Sequence, residues 1–120
     1  MRIANMGCLA LLGAVVMAAP AQAGVSDAFG NTIISHYPRG EWVKHYFEPD
    51  GTYAAAWSDG RRLSGRWVIE GQKVCLIELR PRQLISRFCT PMVQASVGDT
   101  WPSRDPLGRS VRNELVAGRR

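Results

Sequence analysis

Three cysteines, two histidines and a few carboxylates are the side chains of this sequence whose types could support covalent, acid–base or metal chemistry. A nucleophile–base pair needs a Ser or Cys beside a His that a third group orients. His36 follows Ser35 directly, but neighbours in sequence do not create catalytic geometry, and His45 lies in the middle of a predicted strand. We expect no catalytic residue. A hydrolase that uses His36 or His45 is the less favoured alternative.

Three carboxylates, Glu48, Asp50 and Asp59, could meet at one end of a predicted hairpin. Two carboxylates held close together can perform acid–base catalysis or bind calcium. Both aspartates directly precede a glycine, however, and Asp-Gly pairs are typical of turns. The turn interpretation is therefore favoured, and we predict no metal ion and no cofactor.

The first 23 residues predict where the protein is located rather than what it does. Arg2 supplies a positive start, residues 8–19 are an unbroken apolar or small run, and Ala21-Gln22-Ala23 has the form that a signal peptidase cleaves. This pattern indicates a secretory signal peptide over residues 1–23. The run is shorter than the ~20 apolar residues that a membrane-spanning helix needs. We expect an exported protein, periplasmic or secreted, with no transmembrane segment in residues 24–120.

Export determines how the cysteines are interpreted. Cys8 belongs to the signal peptide and has no lipoprotein cleavage motif before it, so Cys75 and Cys89 remain in the domain. A cysteine pair in a small exported domain predicts a disulfide. The two histidines lie at no zinc-finger spacing from these cysteines, which argues against a shared metal site.

The charge of the chain is moderately basic. The net charge is +5, and residues 24–120 hold 14 basic side chains, 12 of them arginine, against 10 acidic ones. This excess fits a soluble surface or an anionic partner. A groove that binds single-stranded nucleic acid requires aromatic residues between its basic residues. The doublets Arg61-Arg62 and Arg119-Arg120 have no such aromatic residues. We expect no nucleic-acid partner.

The elements that must position these residues are short strands separated by turns. Alternating apolar residues predict strands at 42–47, 52–57, 65–70, 73–79 and 84–90, with turns at Glu48-Pro49-Asp50-Gly51 and Asp59-Gly60. Residues 24–40 are an N-terminal arm or a first strand, 97–101 are strand or turn, and 110–116 are a last strand. The fold class is therefore all-β: residues 24–120 form one domain, a small antiparallel meander that forms a barrel or sandwich with one disulfide.

The cysteine spacing also predicts a register. If Cys75 faces Cys89 across a hairpin, Leu79 faces Ile85 and the loop is Pro81-Arg82-Gln83, an ordinary hairpin length. Arg87 then lies on the same face as Leu79, so that either this face points outward near the end of the strand or Arg87 is paired.

Aromatic residues cluster in the first hairpins, where they form a packed core or line an apolar pocket. The candidates for a pocket lining are Trp42, Tyr53, Trp57 and Trp67.

One stretch of sequence has a family resemblance. Phe47-Glu48-Pro49-Asp50-Gly51-Thr52-Tyr53, a second Asp-Gly, then Gly65-Arg66-Trp67 and Cys75 resemble small exported bacterial β-domains of lipocalin-like type. The resemblance covers residues 30–89. It implies a fold and an export route but no activity.

A narrower likeness joins Gly65-x-Trp67, Cys75 and Cys89 to secreted barrel inhibitors of bacterial metalloproteases. In those inhibitors Gly-x-Trp lies near the start of the domain, whereas here residues 24–64 precede it. We therefore expect a non-enzymatic envelope protein that binds a small apolar ligand or an envelope partner. The alternative is a protein inhibitor of an exported hydrolase.

Overall fold

Eight antiparallel strands form one curled sheet within residues 24–120, the part of the chain that a computed structural model describes. The predicted signal peptide, residues 1–23, lies outside the described residues. A short 3-10 helix at Ser26–Ala28 precedes the first strand. The strands are β1 (Thr32–His36), β2 (Trp42–Phe47), β3 (Thr52–Trp57), β4 (Arg62–Glu70), β5 (Lys73–Arg80), β6 (Phe88–Pro91), β7 (Thr100–Arg104) and β8 (Ser110–Val116).

The strand order across the sheet is β6-β5-β4-β3-β2-β1-β8-β7. Consecutive strands are neighbours except for β6 and β7, which lie at the two edges, and β1 pairs with β8. The sheet curls into a half-barrel. Each edge strand carries a proline, Pro91 or Pro102, which removes a backbone donor from the edge. The predicted all-β antiparallel fold is confirmed, and the single curled sheet corresponds to the barrel alternative.

Alternate side chains face the concave side of the sheet and form the core. Val43 opposes Trp57, and Phe47 opposes Tyr53 with the ring centroids 5.2 Å apart. Such directly opposed pairs stabilise a sheet because their side chains touch on one face. The buried members of this core are Val25, Ala28, Val43, Phe47, Tyr53, Ala55, Leu63, Trp67 and Val74.

The turn between β2 and β3 forms as predicted. Gly51 has a φ of 93°, a left-handed conformation that glycine adopts without a steric penalty. The Asp50 carboxylate accepts hydrogen bonds from the backbone N–H and the hydroxyl of Thr52, at 2.9 and 2.8 Å. The predicted strands on either side, Trp42–Phe47 and Thr52–Trp57, have the bounds of β2 and β3.

Three other segments differ from their predictions at the ends. Residues 24–40 contain both the 3-10 helix and β1, so the arm and first-strand alternatives each hold in part. β4 begins at Arg62, before the predicted residue 65, and β7 begins at Thr100 rather than 97. Gly65 lies where the pairing of β4 with β5 shifts by one residue, and a Cβ there would lie 2.7 Å from the carbonyl oxygen of Ile77. Only glycine fits such a close backbone approach.

The predicted strand at 84–90 is wrong in its first half. β6 begins at Phe88, and residues 81–87 form a loop rather than the three-residue turn Pro81-Arg82-Gln83. Glu78 has a φ of 52° at the irregularity in β5, and Arg80 pairs with Ser64 of β4. This break in the pleat ends the alternation on which the predicted pairing of Leu79 with Ile85 depended.

The disulfide is confirmed. Cys75 and Cys89 face each other in the β5–β6 ladder, with 4.0 Å between their Cα atoms. Arg87, whose position was ambiguous in the sequence, forms an ion pair with Glu70.

Candidate functional site

The concave side of the half-barrel encloses a cavity of about 480 Å³. One end is closed by the 3-10 helix segment, where Val25 and Ala28 are buried, together with Met92 from the β6–β7 connection. The other end, which we call the open end, is bordered by the largely exposed loops that join β1 to β2, β3 to β4, β5 to β6 and β7 to β8. The volume lies within the roughly 300–1,000 Å³ of small-molecule sites.

Most of the cavity wall is apolar. The strands contribute aliphatic and aromatic side chains, among them Val43, Phe47, Leu63, Val74, Leu76 and Val111. Such a wall favours an apolar ligand because burying apolar surface is the main gain on binding.

The four aromatic residues named as candidate pocket lining divide into two pairs. Tyr53 and Trp57 belong to the cavity wall. Trp67 instead packs in the core, 5.7 Å from the Phe29 ring, and donates its indole N–H to the carbonyl oxygen of Glu48 at 2.8 Å. Trp42 lies outside the cavity wall, with the Lys44 ammonium 4.7 Å from its ring centroid. Alternation separates Trp42 from the cavity, since Val43 occupies the inward position.

A chain of hydrogen bonds crosses the cavity wall through five neighbouring strands, β3, β2, β1, β8 and β7. The Tyr53 hydroxyl lies 2.7 Å from His45 Nδ1, and His45 Nε2 lies 2.9 Å from Ser35 Oγ. Ser35 Oγ donates to Asn113 Oδ1 at 2.6 Å, and Asn113 Nδ2 donates to Ser103 Oγ at 2.7 Å. We call these five residues the polar chain.

The donor and acceptor of each hydrogen bond in the polar chain follow from the bond between Ser35 and Asn113. Asn113 Oδ1 can only accept, so the Ser35 hydroxyl donates to it. Ser35 Oγ then accepts from His45 Nε2–H, which leaves His45 Nδ1 as the acceptor for the Tyr53 hydroxyl. The imidazole is therefore neutral in this arrangement.

The surroundings of the polar chain favour neutral groups. Burial lowers the pKa of His45 to about 4, and burial raises the pKa of Tyr53 above its ordinary value. His45 retains some accessible surface, but it is cavity surface, enclosed by the sheet. Low polarity disfavours the charged form of each group, so both are uncharged at neutral pH.

The Ser35–His45 contact has the length of a nucleophile–base pair but a different arrangement. A general base must present an unprotonated nitrogen to the serine hydroxyl. Here His45 Nε2 donates to Ser35, and the third group at Nδ1 is a tyrosine hydroxyl rather than a carboxylate. The other histidine, His36, is 3.0 Å from the Glu114 carboxylate and lies outside the cavity wall.

The open end of the cavity carries two arginines held in the same way. Arg109 Nε donates to Asp105 at 2.9 Å, and its guanidinium lies 5.0 Å from the Tyr37 ring centroid. Arg61 Nε donates to Asp59 at 2.9 Å, and its guanidinium lies 5.1 Å from the Trp57 ring centroid. Each arginine is thus fixed by a carboxylate and an aromatic face.

Asp105 also binds Tyr37, whose hydroxyl donates to it at 2.8 Å. Burial and this hydrogen bond raise the pKa of Tyr37 to about 12. Burial alone would raise the pKa of Asp105, but the hydrogen bonds from Tyr37 and Arg109 outweigh it and lower that pKa. The contact ties the β1–β2 and β7–β8 loops together at the open end.

The three carboxylates that could have formed an acidic cluster are separated by the length of β3. Glu48 and Asp50 lie in the β2–β3 turn, where Glu48 pairs with Arg119. Asp59 lies in the β3–β4 turn and accepts from the backbone N–H of Arg61 at 3.0 Å. The two aspartate carboxylates have the predicted turn role, and the Glu48 carboxylate forms an ion pair instead.

One group of potential metal ligands occurs within residues 24–120. Glu70, Cys75 and Cys89 place their ligand atoms within 4.8 Å of one another. The two sulfurs are joined in the disulfide, which removes the thiolates that a metal would need.

Sequence reasoning missed the polar chain. The sequence predicted no functional role for Ser35, Asn113 or Ser103. Each of them occupies an inward position in a strand whose other inward residues are mostly apolar, such as Val111-x-Asn113-x-Leu115. A polar residue at an inward strand position is the signal that could have identified them, because it requires a hydrogen-bond partner once it is buried.

The fold and the site define an antiparallel β half-barrel with an apolar cavity and one internal polar chain. Comparison with protein-family models, curated proteins and solved structures finds no match to this chain. The resemblance to lipocalin-like β-domains therefore stays a prediction. Within residues 24–120, no helix has the length and apolar character that crossing a membrane requires.

Proposed function

We propose that this protein is an exported, non-enzymatic binding protein that holds a small, mainly apolar molecule with a hydrogen-bond acceptor inside the half-barrel. The observation that carries this function is the apolar cavity of about 480 Å³ crossed by the polar chain. The disulfide is compatible with the proposed export.

Ser103, at the end of the polar chain, supports a hydrogen-bond acceptor in the ligand. Ser103 Oγ accepts from Asn113, while the Ser103 O–H has no acceptor among residues 24–120. Ser103 is part of the cavity wall, so its hydroxyl can donate to an oxygen of the ligand. The Tyr53, His45 and Ser35 donors are already used within the chain, which leaves the rest of the ligand to apolar contacts.

The cavity can be tested by filling it. Val111 is buried in the cavity wall, and Val116 lies on the same strand outside that wall. We expect N-phenyl-1-naphthylamine, an apolar fluorophore, to bind the parent protein, and Val111→Phe to weaken binding about tenfold or more by occupying the cavity. Val116→Phe is the matched control and should bind as the parent does. Equal binding by a folded Val111→Phe variant would refute the function.

The identity of the natural ligand is a separate measurement. Native mass spectrometry of the protein isolated from its own cells, without denaturation, should show a bound small molecule. A stoichiometric complex with a hydrolase in the same spectrum would instead support the inhibitor alternative.

A further inference from the structure

The open end of the half-barrel presents two exposed leucines on separate loops. Leu84, in the β5–β6 loop, is 99% exposed, and Leu107, in the β7–β8 loop, is 70% exposed. Both border the cavity. Scattered exposed apolar residues are ordinary on protein surfaces, but these two lie at the same end of the barrel and surround the opening of an apolar cavity.

Basic residues accompany the two leucines. Arginines lie in or beside all four loops at this end, whereas the only acidic residues of these loops are Glu41, Asp59 and Asp105. The arginines are Arg39, Arg61, Arg62, Arg80, Arg82, Arg87, Arg104 and Arg109, of which Arg87 is paired with Glu70.

Arg61 and Arg109 can still bind an anion although each is paired with an aspartate. Asp59 and Asp105 each occupy the Nε of an arginine, Arg61 or Arg109. The terminal amino groups of both arginines have no hydrogen-bond partner among residues 24–120. A guanidinium with this edge open suits phosphate oxygens, which it can bind with two parallel hydrogen bonds.

We propose that this end of the half-barrel docks on an anionic phospholipid bilayer, with Leu84 and Leu107 entering the headgroup region and the arginines binding lipid phosphates. Apolar side chains that insert beside a basic rim are the physical basis of reversible binding at a membrane surface. The cavity opens at this same end, so a docked protein faces the bilayer with its opening. This inference goes beyond the proposed function, since docking does not require an occupied cavity.

The test compares vesicle binding by variants that share one N-terminus. The full chain is expressed, and the protein isolated from the cells is mixed with vesicles of phosphatidylcholine containing phosphatidylglycerol, or of phosphatidylcholine alone. We expect sedimentation with the anionic vesicles, and we expect Leu84→Ser/Leu107→Ser to lower the partition coefficient by about tenfold or more. Arg82→Gln/Arg104→Gln should lower it about fivefold for each arginine at low salt.

Val97 provides the control for surface hydrophobicity. It is 52% exposed in the β6–β7 connection at the opposite end of the barrel, so Val97→Ser should bind anionic vesicles as the parent does. All these positions are exposed, and far-ultraviolet circular dichroism checks that each variant is folded. Val111→Phe fills the cavity and should leave vesicle binding unchanged, which separates this proposal from the proposed function.

Three results would overturn the docking surface. The first is vesicle binding by Leu84→Ser/Leu107→Ser that equals that of the parent. The second is equal binding to neutral and anionic vesicles. The third is an absence of vesicle binding by the parent. If that parent is also dimeric in size-exclusion chromatography and becomes monomeric when both leucines are replaced, the leucines join two copies of the chain instead.

Discussion

Mild acid should destabilise this fold through His45. The imidazole is enclosed in the cavity wall, and burial lowers its pKa to about 4 from the ordinary 6.5. In the unfolded chain the imidazole is in water and titrates near its ordinary value. The unfolded state therefore binds a proton at a higher pH than the folded state does, and stability falls as the pH drops from 6.5 towards 4.

The size of the effect follows from the difference between the two pKa values. A difference of about 2.5 units corresponds to a loss of about 3 kcal/mol in the free energy of unfolding, complete near pH 4. This value is an upper limit, because water in the cavity can solvate the imidazolium. Protonation would also place a donor on Nδ1, where the Tyr53 hydroxyl donates in the neutral state, so the polar chain must rearrange.

Urea unfolding followed by tryptophan fluorescence measures this loss at a series of pH values between 4 and 7. We expect the parent to lose stability steadily below pH 6.5. His45→Gln removes the titrating group, so its stability should be lower at neutral pH but less dependent on pH within this window. His36→Gln is the matched control and keeps the contribution of His45. Parallel pH profiles for the parent and His45→Gln would refute the reasoning.

Three further substitutions test the framework by urea unfolding at neutral pH. Cys75→Ala/Cys89→Ala should lower the free energy of unfolding by about 3 kcal/mol, and no effect of a reductant on the parent would contradict the disulfide. Gly65→Ala should cost about 1–3 kcal/mol, because its Cβ would meet the β5 backbone at 2.7 Å, and unchanged stability would refute that close approach. Asn113→Leu leaves the buried Ser35 hydroxyl without its acceptor and should cost about 1–3 kcal/mol, whereas a gain in stability would argue against the polar chain.

The sequence predicted the fold class and the bounds of β2 and β3, because alternation and turn preference depend only on residues close together in the chain. Alternation gives the two faces of β2 and β3, and the Pro49-Asp50-Gly51 turn has a conformation that these residue types prefer by themselves. The cysteine pair predicted the β5–β6 register around Cys75 and Cys89, because a disulfide requires its two residues to lie opposite each other, although the short loop predicted with it does not form.

The first half of the predicted strand at 84–90 was wrong because its alternation has no counterpart across the hairpin. β5 is irregular at Glu78, where its pairing register shifts, so Leu84 and Ile85 have no regular ladder to join. A strand forms only where a neighbour accepts its hydrogen bonds, and that neighbour is determined by the whole sheet.

The sequence by itself determined an antiparallel β-domain with one disulfide, because strand alternation, turn preference and cysteine pairing act over a few residues. Only the tertiary structure decided which inward residues share a site. Ser35 and Asn113 are 78 positions apart and meet because β8 returns to pair with β1. That pairing places β8 and β7 beside β1, β2 and β3, and it joins the polar residues of these five strands into one chain.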